Sequence, residues 1–349
     1  MTYTIGITEA LAELDRFDAI LDVRSPAEFE QDHLPGAVNW PVLSDEERRI
    51  VGTLHASDAL QARRLGAALV ARNVAALLEA RTVDCPRNWR PLVYCWRGGQ
   101  RSLSLHWFLS QIGFRSRQLV GGYKGFRTQV RADLDTQPAG FRWRVLCGRT
   151  GSGKTRLLQA LAIEGAQVLD LEGLAAHRGS VLGALPDAPQ PTQKAFDTSV
   201  WAALRGFDPS RPVFVESESH KIGRITVPQA LLSAWREQAD CVWLQMSESA
   251  RVALLLEDYQ HFLVAPERFC AALDALVELR GHARVAAWQA QARAGDWPGV
   301  FAELMREHYD PGYERSLNHH FSGLDTAHTL DLPDGGPQAM QAAARSLLA

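Results

Sequence analysis

The sequence predicts an α/β protein made of two successive α/β units, the second running into a helical C-terminal part. Three observations carry that expectation. Short apolar runs of strand length alternate with longer stretches of three- and four-residue apolar periodicity, as βα units require. Two glycine-rich turns, "CWRGGQRS" (Cys95–Ser102) and "GRTGSGKT" (Gly148–Thr155), each follow an apolar run and precede a helical pattern. A polar stretch containing Pro and Gly, "DLDTQPAG" (Asp133–Gly140), reads as the linker between the halves. The domains are therefore expected at 1–135 and 136–349, a division that suits 349 residues.

Taken in order, "DAILDVRS" reads as a short strand ending in polar residues, and "SDALQARRLGAALVARNVAALLEAR" as a helix. "PLVYC" is a buried-type strand, and "RSLSLHWFLSQIG" a helix closed by Gly113. "RQLVGGYKGF" is a strand followed by a glycine turn. The second unit opens with "RWRVLCG" and has strand candidates at "QVLDL", "PVFVE" and "CVWLQM". From about Ser249 the pattern is helical: "ARVALLLEDYQHFL", "ERFCAALDALVEL", "HARVAAWQAQARAG" and "VFAELMREHY".

Composition narrows the class. The chain is 46% hydrophobic and 22% charged, ordinary for a globular protein with a sizeable core. Its five cysteines form no CxxC pair and no His/Cys ligand spacing, which argues for a reducing, cytoplasmic setting without a structural zinc. His33, His106, His220 and the pair His319–His320 show no ligand spacing either. The N-terminal stretch has no signal-peptide pattern, and no apolar run is long enough for a bilayer. No oligomer signal is present, and the sequence is compatible with a monomer. The net charge of −3 hides an asymmetry: Arg87–Arg156 holds 14 Lys+Arg against Asp133 and Asp135 alone. That segment contains both glycine turns, so an anionic partner is expected there.

"GRTGSGKT" matches G-x-x-x-x-G-K-[ST] in full, over Gly148, Arg149, Thr150, Gly151, Ser152, Gly153, Lys154 and Thr155. The glycines let backbone N–H groups turn toward a phosphate, Lys154 adds a point charge, and Thr155 can hold Mg²⁺. The following helix brings its positive N-terminus to the same anion. Glu216, after "PVFV", stands where a Walker B carboxylate is expected; a plain strand-end carboxylate reads the same way. The motif alone leaves open a nucleotide or a diphosphate leaving group, and with it any use of ATP.

The other turn builds an anion cradle around a thiol. Trp96, Arg97, Gly98, Gly99 and Gln100 can curl their N–H groups toward Cys95, and the helix starting near Ser102 adds its dipole. Arg97 and Arg101 can pair with a tetrahedral oxyanion. These effects favour thiolate over thiol and make Cys95 nucleophilic near neutral pH. Cys147, which continues an apolar strand, reads as core. The C-x5-R spacing from Cys95 to Arg101 serves a cysteine phosphatase as well as a sulfur or selenium carrier. However, Tyr94 stands where tyrosine phosphatases usually carry His.

The surrounding segments resemble a known family. "LDVRSPAEFEQDHLPGAVNWP" and "LVGGYKGFR" resemble the motifs before and after the rhodanese active-site loop. "SDEERRIVGT", "GRTGSGKT", "LEGLAAHRGSVLGALPDAPQPTQKAFD", "FVESESHKIGRITVP" and "HYDPGYERS" extend the resemblance to the tRNA 2-selenouridine synthase family over roughly Asp22–Ser316. Cys147 and Ser217 depart from its pattern. The resemblance implies a rhodanese-like α/β domain followed by a P-loop NTPase-like α/β domain with a helical C-terminal part. It implies a transferase acting on the wobble 2-thiouridine of tRNAs for Lys, Glu and Gln. Geranyl diphosphate first alkylates the 2-thio sulfur, and selenium from selenophosphate then replaces the S-geranyl group.

Within that reading Cys95 attacks the selenium of selenophosphate, releases phosphate and carries an S-selanyl group. The residues Trp96–Arg101 hold the oxyanion, and the phosphate loop holds the geranyl diphosphate, a nucleotide or a tRNA phosphate being the alternatives for that loop. The basic segment would contact an anticodon arm. Of Trp89, Trp96, Trp107 and Trp143, only Trp96 is expected to stack on a base; the other three are expected to pack. "ARVALLLEDYQHFL" reads as a core helix before it reads as a prenyl slot. The sequence also admits two rivals: a cysteine phosphatase fused to a kinase, and a P-loop tRNA-binding protein with an inert rhodanese module.

Overall fold

The computed structural model describes residues 4–186, 188–238, 240–321 and 324–349. The chain divides into two compact units, Met1–Asp133 with Asp197–Ser199, and Leu134–Phe196 with Val200–Ala349.

The first unit holds a five-stranded parallel sheet of β1 (Thr4–Ile5), β2 (Ala19–Asp22), β3 (Ala37–Asn39), β4 (Pro91–Tyr94) and β5 (Arg117–Leu119). Their spatial order is β1-β5-β4-β2-β3. Its helices are α1 (Ile7–Ala12), α2 (Pro26–Gln31), α3 (Asp45–Ser57), α4 (Ala59–Arg81), α5 (Gln100–Ile112) and α6 (Gly122–Thr136). Local chemistry sets several ends. Ser44 accepts from Glu47 N to start α3, and Asp58 accepts from Leu60 N and Gln61 N to start α4. Gly113 closes α5 at φ 104°, a left-handed C-cap that glycine takes without strain. Leu21, Val23, Val93, Leu105 and Leu109 pack with Trp40 and Trp89 as the core.

The second unit has its own five-stranded parallel sheet: β6 (Trp143–Cys147), β7 (Gln167–Leu169), β8 (Val213–Glu216), β11 (Asp240–Gln245) and β12 (His328–Asp331), ordered β12-β11-β6-β8-β7. A short hairpin, β9 (Lys221–Ile222) with β10 (Ile225–Thr226), stands apart from it. Helices α7 (Lys154–Ile163), α8 (Leu171–Ala175), α9 (Gln193–Arg205) and α10 (Gln229–Gln238) accompany the strands. The helical part comprises α11 (Glu248–Asp258), α12 (Gln260–Val264), α13 (Pro266–Leu273), α14 (Val277–Arg280), α15 (His282–Arg293) and α16 (Trp297–Leu304). A π-turn at Met305–Tyr309 leads into α17 (Asp310–His320), and α18 (Pro337–Leu348) follows β12. Phe269, Trp288, Phe301 and Leu304 centre the helical core, while Leu157, Leu158 and Leu161 pack against Met340, Ala344 and Leu347 under the sheet. No helix among the described residues is long and apolar enough to cross a membrane.

Two expectations are corrected here. Asp133–Gly140 is not an open linker: α6 runs to Thr136 and a 3-10 turn covers Gln137–Gly140. Pro138 is buried, and its carbonyl accepts from the Trp143 indole at 2.9 Å, so the connection is part of the packing. Trp107 is not packed but 53% exposed, edge-on to exposed Phe108. Helix α5 turns Leu105 and Leu109 inward, and 100° per residue then sends position 107 outward. Trp89 and Trp143 are buried as expected, and so is Cys147.

Candidate active sites

The thiol site sits where β4 ends and α5 begins. Cys95 is 3% exposed, and its Sγ accepts from Gly99 N and from Ser102 Oγ, both at 3.2 Å. Ser102 is held in turn by Gln118 Nε2 at 2.8 Å. The first-turn N–H groups of α5, from Gln100, Arg101 and Ser102, are left over for a ligand as in any helix start.

The loop's shape depends on the glycine turn that follows β5. Tyr123 N donates to Cys95 O and Lys124 N to Trp96 O, each at 2.9 Å. A Cβ at Gly122 would lie 2.2 Å from Cys95 O, and one at Gly98 would lie 2.5 Å from Leu119 O. Both glycines have positive φ, so the two turns interlock through positions that only glycine fits. Beneath them Arg24 pairs with Asp22 and lies 3.9 Å from the centroid of the Tyr123 ring. The Tyr123 hydroxyl donates to Asp32 Oδ2 at 2.8 Å. Burial raises the Asp32 pKa, against the Tyr123 hydrogen bond and the Arg127 charge.

The loop's two arginines are placed differently. Arg101 donates to Glu28 Oε2 at 2.7 Å, while Arg97 is exposed. Trp96 is half-buried, with its ring 5.3 Å from that of Tyr123. Tyr94 is a core residue whose hydroxyl accepts from Leu34 N. His33 stacks on Phe29 and His106 is buried against Ser116; the side chains of His319 and His320 lie outside the described residues.

The phosphate-loop site lies between β6 and α7. Gly151 and Gly153 take positive φ, and added Cβ atoms would press on Leu255 and Met340 respectively. Lys154 Nζ donates to Gly148 O at 3.0 Å, and Thr155 Oγ1 donates to Glu172 Oε2 at 2.8 Å. A cavity of about 700 Å³ opens from Thr150–Thr155. Glu172 and Glu218 line it. Glu216 does not: it is fully buried at the end of β8, where Oε1 accepts from Glu172 N and Oε2 has no partner. Burial raises the Glu216 pKa strongly, with the Glu218, Asp170 and Glu172 charges adding to it. Burial and the Glu172 charge push Glu218 up to about 8. Burial likewise lowers the pKa of Lys154, against the Glu172 and Glu218 charges. Glu172 and Glu218 are thus the glutamates of the cavity, which Asp170 and Asp258 also line, and sequence reading missed them. Glu172 lies in the quoted "LEGL" and Glu218 in "VESES", but neither carries a spacing signal.

The basic segment of the sequence is partly neutralised by distant acids. Arg101 pairs with Glu28, Arg117 with Glu9, Arg149 with Glu314, and Arg156 with Glu257 and Asp258. Among the described residues Arg97 and Lys124 have no side-chain partner and remain exposed beside the thiol loop.

A tRNA 2-selenouridine synthase of Nitrosomonas europaea is 35% identical over 260 residues, covering 73% of this chain and 67% of that protein. The chain belongs to the tRNA 2-selenouridine synthase family. The family's "tRNA 2-selenouridine synthase AAA domain" profile matches residues 141–283, and the "Rhodanese-like domain" profile matches residues 7–129. The chain spans about two thirds of the length of the Nitrosomonas europaea relative and of a Shewanella halifaxensis one that is 36% identical over 250 residues. A Marinobacter nauticus synthase is 29% identical across 94% of both chains. The expected pairing of a rhodanese-like and a P-loop-type α/β domain is borne out, and membership makes this chain an enzyme of that family. The thiol loop falls inside the first match and the phosphate loop inside the second.

Proposed function

We propose that this enzyme converts the wobble 2-thiouridine of tRNA to 2-selenouridine, by S-geranylation at the phosphate loop and selenation at Cys95. The observation that carries the reading is the Cys95 cradle: a nearly buried sulfur held by Gly99 N and Ser102 Oγ at the foot of a helix. It supports a nucleophile facing a tetrahedral oxyanion.

In the first step the 2-thio sulfur attacks C1 of geranyl diphosphate. The C–O bond breaks, diphosphate departs, and N3 of the base gives up its proton. Lys154 and the loop N–H groups hold the leaving diphosphate. Leu185, Leu254, Leu255, Leu317 and Phe321 line the same cavity and offer the geranyl chain an apolar wall. Part of α11 thus serves core and cavity at once. Thr155 and Glu172 present hard oxygen donors that suit Mg²⁺, which would neutralise diphosphate charge; the remaining ligands would come from water and phosphate.

In the second step Cys95 takes selenium from selenophosphate and passes it to C2 of the base, expelling the geranyl thiolate. Thioether sulfur leaves far more readily than a thione, which gives the first step its purpose. Electron balance corrects the expected phosphorus product. Forming S–Se at Cys95 as Se–P breaks leaves the bonding pair on phosphorus, so that step yields phosphite rather than phosphate. Two thiol equivalents must then reduce the Se–S bond, one cleaving it and the second resolving the mixed disulfide, to free the product and Cys95 with release of a disulfide.

The test is mass spectrometry of nucleosides from 2-thiouridine tRNA, incubated with geranyl diphosphate and then selenophosphate and thiol, with phosphorus products followed in parallel. S-geranyl-2-thiouridine followed by 2-selenouridine supports the reading. Cys95→Ser that still made 2-selenouridine from geranylated tRNA would overturn the role of Cys95. Lys154→Ala with full geranyl transfer would overturn the role of the loop.

A further inference from the structure

The phosphate loop and α17 meet through both of the loop's cations. Lys154 Nζ lies 4.6 Å from the centroid of the Tyr313 ring. Arg149 Nε donates to Glu314 Oε1 at 2.7 Å. Tyr313 and Glu314 are consecutive, so one turn of one helix holds both cations. Tyr313 is itself fixed: its hydroxyl donates to Ser217 O at 3.0 Å and lies 2.8 Å from Ser217 Oγ. The first residue of α17, Asp310, takes both arms of Arg251 at 3.0 and 2.8 Å. Arg251 belongs to α11, whose Leu255 backs Gly151 of the loop. Immediately before α17 the chain forms the π-turn Met305–Tyr309, a widened turn of the kind frequently found at functional sites.

These contacts compete with a ligand. Lys154 has three donors, one spent on Gly148 O at 3.0 Å and one reaching Arg149 O at 3.5 Å, and its charge faces an aromatic ring. A phosphate oxygen binding the ammonium draws it off that ring, because a full negative charge outweighs a ring quadrupole. The exposed Arg149–Glu314 pair is the weaker of the two holds.

We propose that Tyr313 and, to a lesser degree, Glu314 are positioning residues that set the loop's anion affinity by competing for Lys154 and Arg149. Helix α17 loosens when an anion takes the two cations over. The inference rests on the loop being an anion site and makes α17 the element that senses its occupancy.

The experiment is calorimetric titration of the full chain with inorganic pyrophosphate, combined with hydrogen exchange of residues 310–317. Tyr313→Leu is expected to bind pyrophosphate about fivefold more tightly, and Glu314→Gln about twofold. Tyr313→Phe, which keeps the ring, stays within about twofold of the wild type. Pyrophosphate speeds exchange in α17 of the wild type but not of Tyr313→Leu, where the hold is already gone. Weaker or unchanged binding by Tyr313→Leu, or no exchange response in the wild type, overturns the proposal and leaves the loop's anion role standing. If Tyr313→Leu does not fold, Tyr313→Met takes its place under the same criteria. Wild type that binds no pyrophosphate, or Lys154→Ala that binds it equally well, overturns both.

Discussion

Glu28 reaches across 73 residues of sequence to hold Arg101 at 2.7 Å, leaving Arg97 as the unengaged arginine of the thiol loop. The same carboxylate accepts from Ser25 N at the start of α2. Burial opposes its ionisation, but the Arg101 hydrogen bond and charge outweigh that and lower the Glu28 pKa. A depressed carboxyl stabilises the fold above its unfolded pKa of about 4.3 and loses that contribution as pH falls through the folded value. Glu28→Gln is expected to cost about 1–2 kcal/mol at neutral pH and to flatten the acid limb of unfolding. Urea melts between pH 3 and 7 check it, and equal pH dependence in both proteins would refute it.

Gly122 makes a steric prediction. Alanine there must adopt φ near 53° and place Cβ against Cys95 O. Gly122→Ala is expected to destabilise the first unit by at least about 2 kcal/mol and to raise the rate of Cys95 alkylation as the loop opens. Thermal unfolding and iodoacetamide kinetics read the two effects. Gly99 is the control, since a Cβ there meets nothing.

Glu218 makes a pH prediction. Its carboxyl, pushed up to about 8, is protonated through neutral pH and ionises beside Glu172 above that. A raised carboxyl stabilises the fold fully below its unfolded pKa, and that contribution is lost as pH rises through the folded value. The Glu218 contribution to melting temperature should therefore fall between about pH 4.3 and about 8 and level off above that, while pyrophosphate affinity should fall as pH rises through about 8. Glu218→Gln is expected to remove most of the affinity decline and part of the stability decline, the raised Glu216 carboxyl keeping the rest. Declines unchanged by the substitution would assign both to other groups.

Binding of tRNA should weaken linearly in log salt concentration, as phosphate contacts require. Arg97→Ala and Lys124→Ala are each expected to reduce that slope by about 1, because both side chains are exposed and unpaired beside the loop. Arg156→Ala should leave the slope unchanged, since its charge is already spent on Glu257 and Asp258. A wild-type affinity indifferent to salt would remove this surface from consideration.

The sequence made the two loops legible because each packs its chemistry into eight contiguous residues between a strand and a helix. Strands β2, β4, β6, β8 and β11 were readable from apolar runs for the same local reason. What stayed hidden lies in long-range partners. Nothing local in "SPAEFE" says that Glu28 answers Arg101, nor in "LEGL" that Glu172 answers Thr155. The edge strand β12 escaped notice because its four residues, "HTLD", are mostly exposed and carry little apolar signal. Trp107 was misjudged because tryptophan usually packs, while its direction is set by the phase of α5. Glu216 was chosen as an acid by its place after a strand, and burial then withdrew it from the cavity.

Met340, far along the chain on α18, lies where a side chain on Gly153 would have to go. The phosphate loop, complete in sequence by residue 155, is therefore braced from behind by residues made almost two hundred positions later. During synthesis on the ribosome the thiol-bearing unit has nearly all of its residues long before that brace emerges. A nascent chain can thus assemble its cysteine loop early, whereas its phosphate loop gains full support only after residue 340 has emerged.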